Sequence, residues 1–359
     1  MAISIEPPAA SRAAAADGDR AVRAWLFAVA ALVFSMVVVG GATRLTESGL
    51  SITEWQPLLG AIPPLNEGDW QGAFEKYKAI PEYSVVNAGM SLAEFKFIYW
   101  WEWTHRLLGR FIGAGFAVPF LAFWAAGRLR PGLPLKLFGV LALGGLQGFI
   151  GWYMVKSGLV DRIDVSQYRL ALHLLIAFSI LALLVWLGLG AGPAQKRVRL
   201  RTVTNAEWRF AAALFALIFL QAGLGALVAG LKAGHTYNTW PLMDGRLVPH
   251  GLDQLSPWYL NFFENVTTVQ FDHRMVAYLV VALALWHVWA LKRSADDERL
   301  IGSAGLLAAA LLAQMSIGIA TLVLGVQITL ALAHQAGAAI VVAAATVHLH
   351  GMTRPASRA

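Results

Sequence analysis

Eight stretches of about twenty apolar residues, the length that crosses the hydrocarbon core of a bilayer, run through this chain at 23–43, 100–126, 135–155, 169–190, 208–230, 270–291, 301–324 and 329–350. In lipid a backbone has to satisfy its own polar groups, so runs of this kind become helices. The expectation is an all-α polytopic membrane protein. With 58% hydrophobic and 14% charged residues, the length of 359 residues counts spans and not soluble domains. The formal charge of +7 sits in short runs between the apolar segments and not in a patch interleaved with aromatics, so no nucleic-acid partner is expected. Cysteine is absent, which excludes disulfides, iron–sulfur clusters and thiolate-ligated haem and leaves metal ligation to histidine and carboxylate.

The short runs set the orientation. With a cytoplasmic N-terminus, the inner segments hold Arg12, Arg20, Arg23, Arg128, Arg130, Lys136, Lys196, Arg197, Arg199, Arg201, Arg209, Lys292, Arg293, Arg299, Arg354 and Arg358, which is sixteen of the 28 basic residues. Both termini are then cytoplasmic, and the long segments 45–97 and 231–268 lie outside. The opening "MAISIEPPAASRAAAADGDR" lacks an apolar core directly after a basic run and reads as a disordered tail, not a cleaved signal. Within the first outer segment, Trp70, Phe74, Tyr77 and Ile80 are spaced to line one face of a short helix, lying on the membrane or capping the bundle.

The chain is duplicated. "ESGLSITEWQPL" (47–58) after the first span resembles "KAGHTYNTWPLM" (232–243) after the fifth, 185 positions later. "EWTHR" (102–106) parallels "QFDHR" (270–274), and His173 near the start of the fourth span is echoed by His334 in the eighth. Glutamine followed by small residues recurs at 146–159, 220–234 and 313–325, where small residues admit close helix approach and the amide can bond across it. The expected architecture is two pseudo-symmetric four-helix bundles: a tail 1–22, a first half 23–190, a cytoplasmic linker 191–207, a second half 208–350 and a tail 351–359. Four helices per half give both halves the same orientation, which fits an inverted-repeat transporter poorly.

His105, His173, His273 and His334 all fall within roughly 10 Å of the outer surface at 1.5 Å per residue. Four histidines at one level suit a dinuclear metal site, two haem sites or a polar network. Bis-histidine haem is favoured by the accompanying small residues and by Arg106, Arg110 and Arg274, which stand where propionates would meet water. His287, His348 and His350 read as ordinary residues near the inner side, with His287 an interfacial anchor; His235, beside an outer motif, is a weaker candidate. The halves differ three residues before the repeated histidine, with Glu102 in the first and Gln270 in the second. Glu102 and His105 share a helix face, and a carboxyl in that setting suits proton transfer, which an amide does not perform. The alternative for Glu102 is an i,i+4 salt bridge to Arg106 that helps to hold the helix mouth. The first half therefore reads as the reacting site and the second as a fixed cofactor site.

The stretches "GGATRLTESGLSITEWQPLLGAIPP" (40–64), "EWTHRLLGR" (102–110), "ALHLL" (171–175), "NTWPLMDG" (238–245), "VQFDHRMVAY" (269–278) and "LAHQ" (332–335) resemble the haem A synthase family, in its mitochondrial-like, alphaproteobacterial branch. The resemblance covers nearly everything beyond residue 20. It implies an inner-membrane enzyme that oxidises the ring D methyl group of haem O to a formyl group, giving haem A for cytochrome oxidase assembly. It further implies haem B held by His273 and His334, His105 and His173 facing the iron of the substrate haem, and catalysis that needs Glu102. The membrane prenyltransferase that makes haem O is the implied partner, with an electron donor or acceptor that the sequence does not identify; a homo-oligomer is compatible with the chain. Some family members carry cysteine pairs in the outer loops, and this chain has none. The rival reading is a bis-histidine dihaem cytochrome b that carries electrons from quinol.

Overall fold

The computed structural model describes residues 9–56, 59–158, 165–191, 203–294 and 297–353. Among them the α-helices are α1 (Ala9–Leu45), α2 (Glu67–Lys78), α3 (Pro81–Val85), α4 (Leu92–Ala125), α5 (Leu133–Gly158), α6 (Gln167–Gly190), α7 (Asn205–Gly230), α8 (Asn261–Glu264), α9 (Val266–Ser294), α10 (Glu298–Val323) and α11 (Ile328–Gly351). Eight of these, α1, α4, α5, α6, α7, α9, α10 and α11, are long and apolar enough to cross a membrane, in agreement with the apolar runs. The described residues form no sheet beyond an isolated bridge between Met243 and Arg246. The protein is a multi-pass membrane protein. Of the segments expected as tails and linker, 1–8, 192–202 and 354–359 lie outside the described residues, with Lys196, Arg197, Arg199, Arg201, Arg354 and Arg358 among them.

Two helix starts differ from expectation. Helix α1 begins at Ala9, inside the stretch read as a disordered tail, because its alanine-rich sequence propagates a helix well without apolar burial. Helix α4 begins at Leu92, eight residues ahead of its apolar run, because Ser91 and Glu94 form a reciprocal capping box. His105 is thus more than three turns into its helix, whose first turns stand clear of the apolar run and carry the cap formed by α2.

That cap is the short helix expected from Trp70, Phe74 and Tyr77. Asn66 caps it by accepting from the Asp69 amide at 2.9 Å. Its three aromatics are buried against Phe95, Ile98 and Tyr99 of α4, so it closes the bundle end and does not lie out on lipid. Burial pushes the Tyr77 hydroxyl up to about 12, and the neutral phenol accepts from Asn87 Nδ2 at 2.7 Å.

Helices α1, α6, α7 and α11 form the centre of the molecule, where the first four spans meet the last four. The main core gathers Leu26, Val33 and Val37 of α1 with Phe178 and Leu184 of α6, Leu214 and Ile218 of α7, and Val342 and Ala345 of α11. Gln335 of α11 donates to the Val37 carbonyl of α1 at 2.7 Å. At the end bearing the two long loops, here the loop face, repeat-related residues meet each other. Arg44 donates to the Ala229 carbonyl, and Lys232 Nζ lies 2.9 Å from Glu47 Oε1 across 185 positions. Glu47 and Lys232 both adopt left-handed backbone, at φ 52° and 51°. An approximate two-fold axis therefore passes between the ends of α1 and α7.

Candidate functional site

Each of the four histidines sits on the second helix of a pair and turns its ring toward a glycine on the first. A Cβ on Gly40 of α1 would lie 2.8 Å from His105 Cε1 on α4, and one on Gly151 of α5 would lie 3.1 Å from His173 Cε1 on α6. In the last four spans the corresponding distances are 3.0 Å from Gly225 of α7 to His273 on α9 and 2.6 Å from Gly318 of α10 to His334 on α11. Any larger residue would push the ring away. In all four cases Cε1 is the ring atom nearest the glycine. The repetition of one ring pose four times makes this a designed frame and not incidental burial.

His273 and His334 face one another with centroids 6.4 Å apart and planes at 87°. Two metal–imidazole bonds of about 2 Å each plus the two ring radii span roughly that distance, so the spacing would accommodate one metal ion between the rings. His105 and His173 are electrostatic neighbours. Nδ1 of His105, His173 and His334 is buried without a partner. No three His, Asp or Glu side chains gather around one point among the described residues.

The residues one turn before the repeated histidines hold the loops. Glu102, 3% exposed, accepts from Ser51 Oγ at 2.8 Å, from the Ile52 amide at 2.7 Å and from Arg106 Nε at 3.0 Å, with Arg106 Nη2 at 2.5 Å. Arg106 also donates to the carbonyls of Ile52 and Glu54 at 2.7 and 2.9 Å. The last four spans repeat this without the charge. Gln270 donates to the Tyr237 carbonyl at 3.3 Å, and Arg274 donates to the carbonyls of Tyr237 and Thr239 at 2.7 and 2.9 Å. Arg110 donates to the Gln56 carbonyl at 3.0 Å. The salt bridge read from i,i+4 spacing is therefore present, and the arginines placed beside the histidines bind loop backbone; Arg274 Nε is buried and left over.

Two features escaped the sequence reading. The glycines were legible only as small residues; their four-residue spacing after a glutamine at 147–151, 221–225 and 314–318 was the available signal. His287 is not an interfacial anchor but buried, at 3% exposure, because the rotation of α9 carries it to α11, where its Nε2 lies 2.9 Å from His348 Nε2. His348 Nδ1 lies 2.9 Å from Ser303 Oγ, which donates on to the Leu300 carbonyl at 3.0 Å. This second histidine pair, stacked on Phe210, is closed by its own hydrogen bonds. His235 is exposed in the loop.

Residues 23–346 match the family model of the cytochrome oxidase assembly protein COX15-CtaA. The chain is 52% identical over 334 residues to the haem A synthase of Parvibaculum lavamentivorans, covering 93% of this chain and 95% of that one. It is 53% identical over 327 residues to the haem A synthase of Chelativorans sp., covering 91% and 90%, and 49% identical over 350 residues to that of Mesorhizobium japonicum, covering 98% and 95%.

Proposed function

We propose, from the premise that the chain belongs to the COX15-CtaA family of cytochrome oxidase assembly proteins, that it is a haem A synthase of the inner membrane, an oxidoreductase that converts the ring D methyl of haem O to a formyl group. The observation that carries the reading is a chemical difference between two copies of one histidine frame: a buried carboxylate at Glu102 where the other copy has the amide of Gln270.

In this reading the frame of His273 and His334 holds haem B as the resident cofactor, which supplies one-electron chemistry when bound. His105 and His173 face the iron of haem O. Converting a methyl to a formyl takes two oxidations at the same carbon followed by loss of water from the geminal diol, and protons leave and return beside that carbon. Glu102 is the group placed to accept and deliver them. Its ties to Ser51, Ile52 and Arg106 hold the carboxyl in one position, and Arg106 balances its charge while clamping the loop over the site. Arg110 and Arg274 would hold propionates at the loop face, Arg274 through the Nε–H left over from its backbone contacts.

The distribution of basic residues supports a cytoplasmic location for both ends of the chain, with the loop face and both histidine frames extracytoplasmic. The farnesyl tail of haem O accounts for a site within the bilayer, since so apolar a substrate partitions into lipid. The membrane prenyltransferase that makes haem O is then a natural partner. Acid-acetone extraction and chromatography of haems from the purified protein test the proposal. Haem B together with haem O or its hydroxylated or formyl products is expected. Two equivalents of haem B and no other haem would make the protein a dihaem electron carrier.

A further inference from the structure

The four histidine–glycine contacts differ in what lies one turn before the glycine. On α5, α7 and α10 it is a glutamine, Gln147, Gln221 and Gln314; on α1 it is Met36. Gln221 Nε2 lies 3.0 Å from both His273 Nδ1 and the His273 carbonyl, and Gln314 Nε2 donates to the His334 carbonyl at 2.7 Å. Gln221 and Gln314 are thus anchored on the backbone of His273 and His334. Gln314 is seated so closely against α11 that only a glycine, Gly337, fits beside its amide oxygen.

What remains is a matched set of orphans. The amide oxygens of Gln147, Gln221 and Gln314 are buried with no donor, and Nδ1 of His105, His173 and His334 is buried with no partner. A neutral imidazole that gives Nε2 to a metal carries its proton on Nδ1, a donor that an amide oxygen can take; at His273 it is the amide nitrogen of Gln221 that stands at Nδ1, so accepting from that N–H requires the amide to turn its oxygen to the ring. Such an outer contact fixes ring orientation and raises ligand basicity. His105 has no counterpart. Met36 takes the place of the amide, its methyl group packed against Gly109 of α4 so that a Cβ there would lie 3.3 Å away, and a thioether is at best a weak acceptor.

We infer that Gln147, Gln221 and Gln314 are positioning residues that accept from Nδ1–H of His173, His273 and His334 when those rings ligate iron, and that His105, facing Met36, is the one ligand left without this hold so that the substrate haem can leave. The inference rests on the ligand assignment above and deepens it: three ligands are built to stay and one to let go.

The test uses the full-length protein with its bound haem. Gln221→Met and Gln314→Met reproduce the environment of position 36, whereas Gln221→Glu offers a stronger acceptor. A more basic ligand favours ferric iron, so the midpoint potential of the low-spin haem should rise in the order Glu, Gln, Met at position 221, with the low-spin magnetic resonance signature shifting in parallel. A residue that only packs would not produce that order. Gln147→Met should leave this potential unchanged. Met36→Gln should do the same while raising the amount of haem O and its products that copurifies and slowing turnover. An unchanged potential and resonance across the 221 series, or a series out of order, overturns the role of the glutamines; unchanged copurification in Met36→Gln overturns the role of Met36. If Gln221→Met gives no protein, the Glu variant decides alone, since a potential at or above that of the unaltered protein overturns the inference. Failure of the ligand assignment itself looks different: His273→Met and His334→Met would then leave the low-spin spectrum intact.

Discussion

In the last four spans Gln270 donates a neutral hydrogen bond to the Tyr237 carbonyl, whereas in the first four the equivalent Glu102 gathers two neutral donors, Ser51 and the Ile52 amide, and the Arg106 guanidinium around a buried carboxylate. The arginine that follows each is used identically, Arg106 on Ile52 and Glu54 and Arg274 on Tyr237 and Thr239, which are the same loop positions one repeat apart. The loop clamp therefore does not need the carboxylate, and a purely structural account of Glu102 has to explain why a more costly buried charge stands where an amide suffices. The halves also differ in closure. Helix α10 buries Leu300, Ala304, Leu307, Ala308 and Leu311, while its counterpart α5 buries Leu137 and Val140. A tight half suits a permanent cofactor, and a loose half suits a large substrate that enters and leaves.

The comparison breaks most visibly at the ligands. His273→Met or His334→Met should shift the optical and magnetic signatures of haem B, while His105→Met should leave them unchanged and stop haem A formation; optical spectra and haem extraction on the three proteins read both quantities, and the opposite pattern would exchange the roles of the halves. Next in size is Glu102→Gln, which makes the first half resemble the second. Haem A formation should fall by about 100-fold or more, as for loss of a general acid–base group, with haem B content retained. Near-normal haem A from this variant would reduce Glu102 to a loop clamp.

Smaller effects separate the two frames sterically. Gly318→Ala places a methyl where His334 Cε1 lies 2.6 Å away, and overpacking of that kind costs about 1–3 kcal/mol. It should perturb the haem B spectrum, whereas Gly40→Ala should lower turnover with that spectrum unchanged; identical consequences would mean that the two sites share one haem. The smallest effect is expected at the two-fold axis, where Lys232 and Glu47 are about half exposed. Lys232→Met should lower stability by less than about 1 kcal/mol in thermal unfolding, with both haem readouts unmoved, and a loss of haem A would show that the halves communicate through this contact.

The spans, the duplication, the four histidines and the Glu102/Gln270 difference were all legible in the chain itself, because hydrophobic length, repeat spacing and i,i+3 or i,i+4 neighbours are properties of one helix at a time. The Arg106 salt bridge belongs to that class. What the tertiary structure decided are contacts set by helix rotation and by loops arriving from a distance. Ser51 and Ile52 reach Glu102 from about fifty positions earlier, the glycines meet the histidine rings edge on, and His287 turns inward to His348 from 61 positions away. Helices that are apolar nearly all round carry little periodic signal to say which face points inward, so the partner of each polar group becomes fixed only when the helices pack.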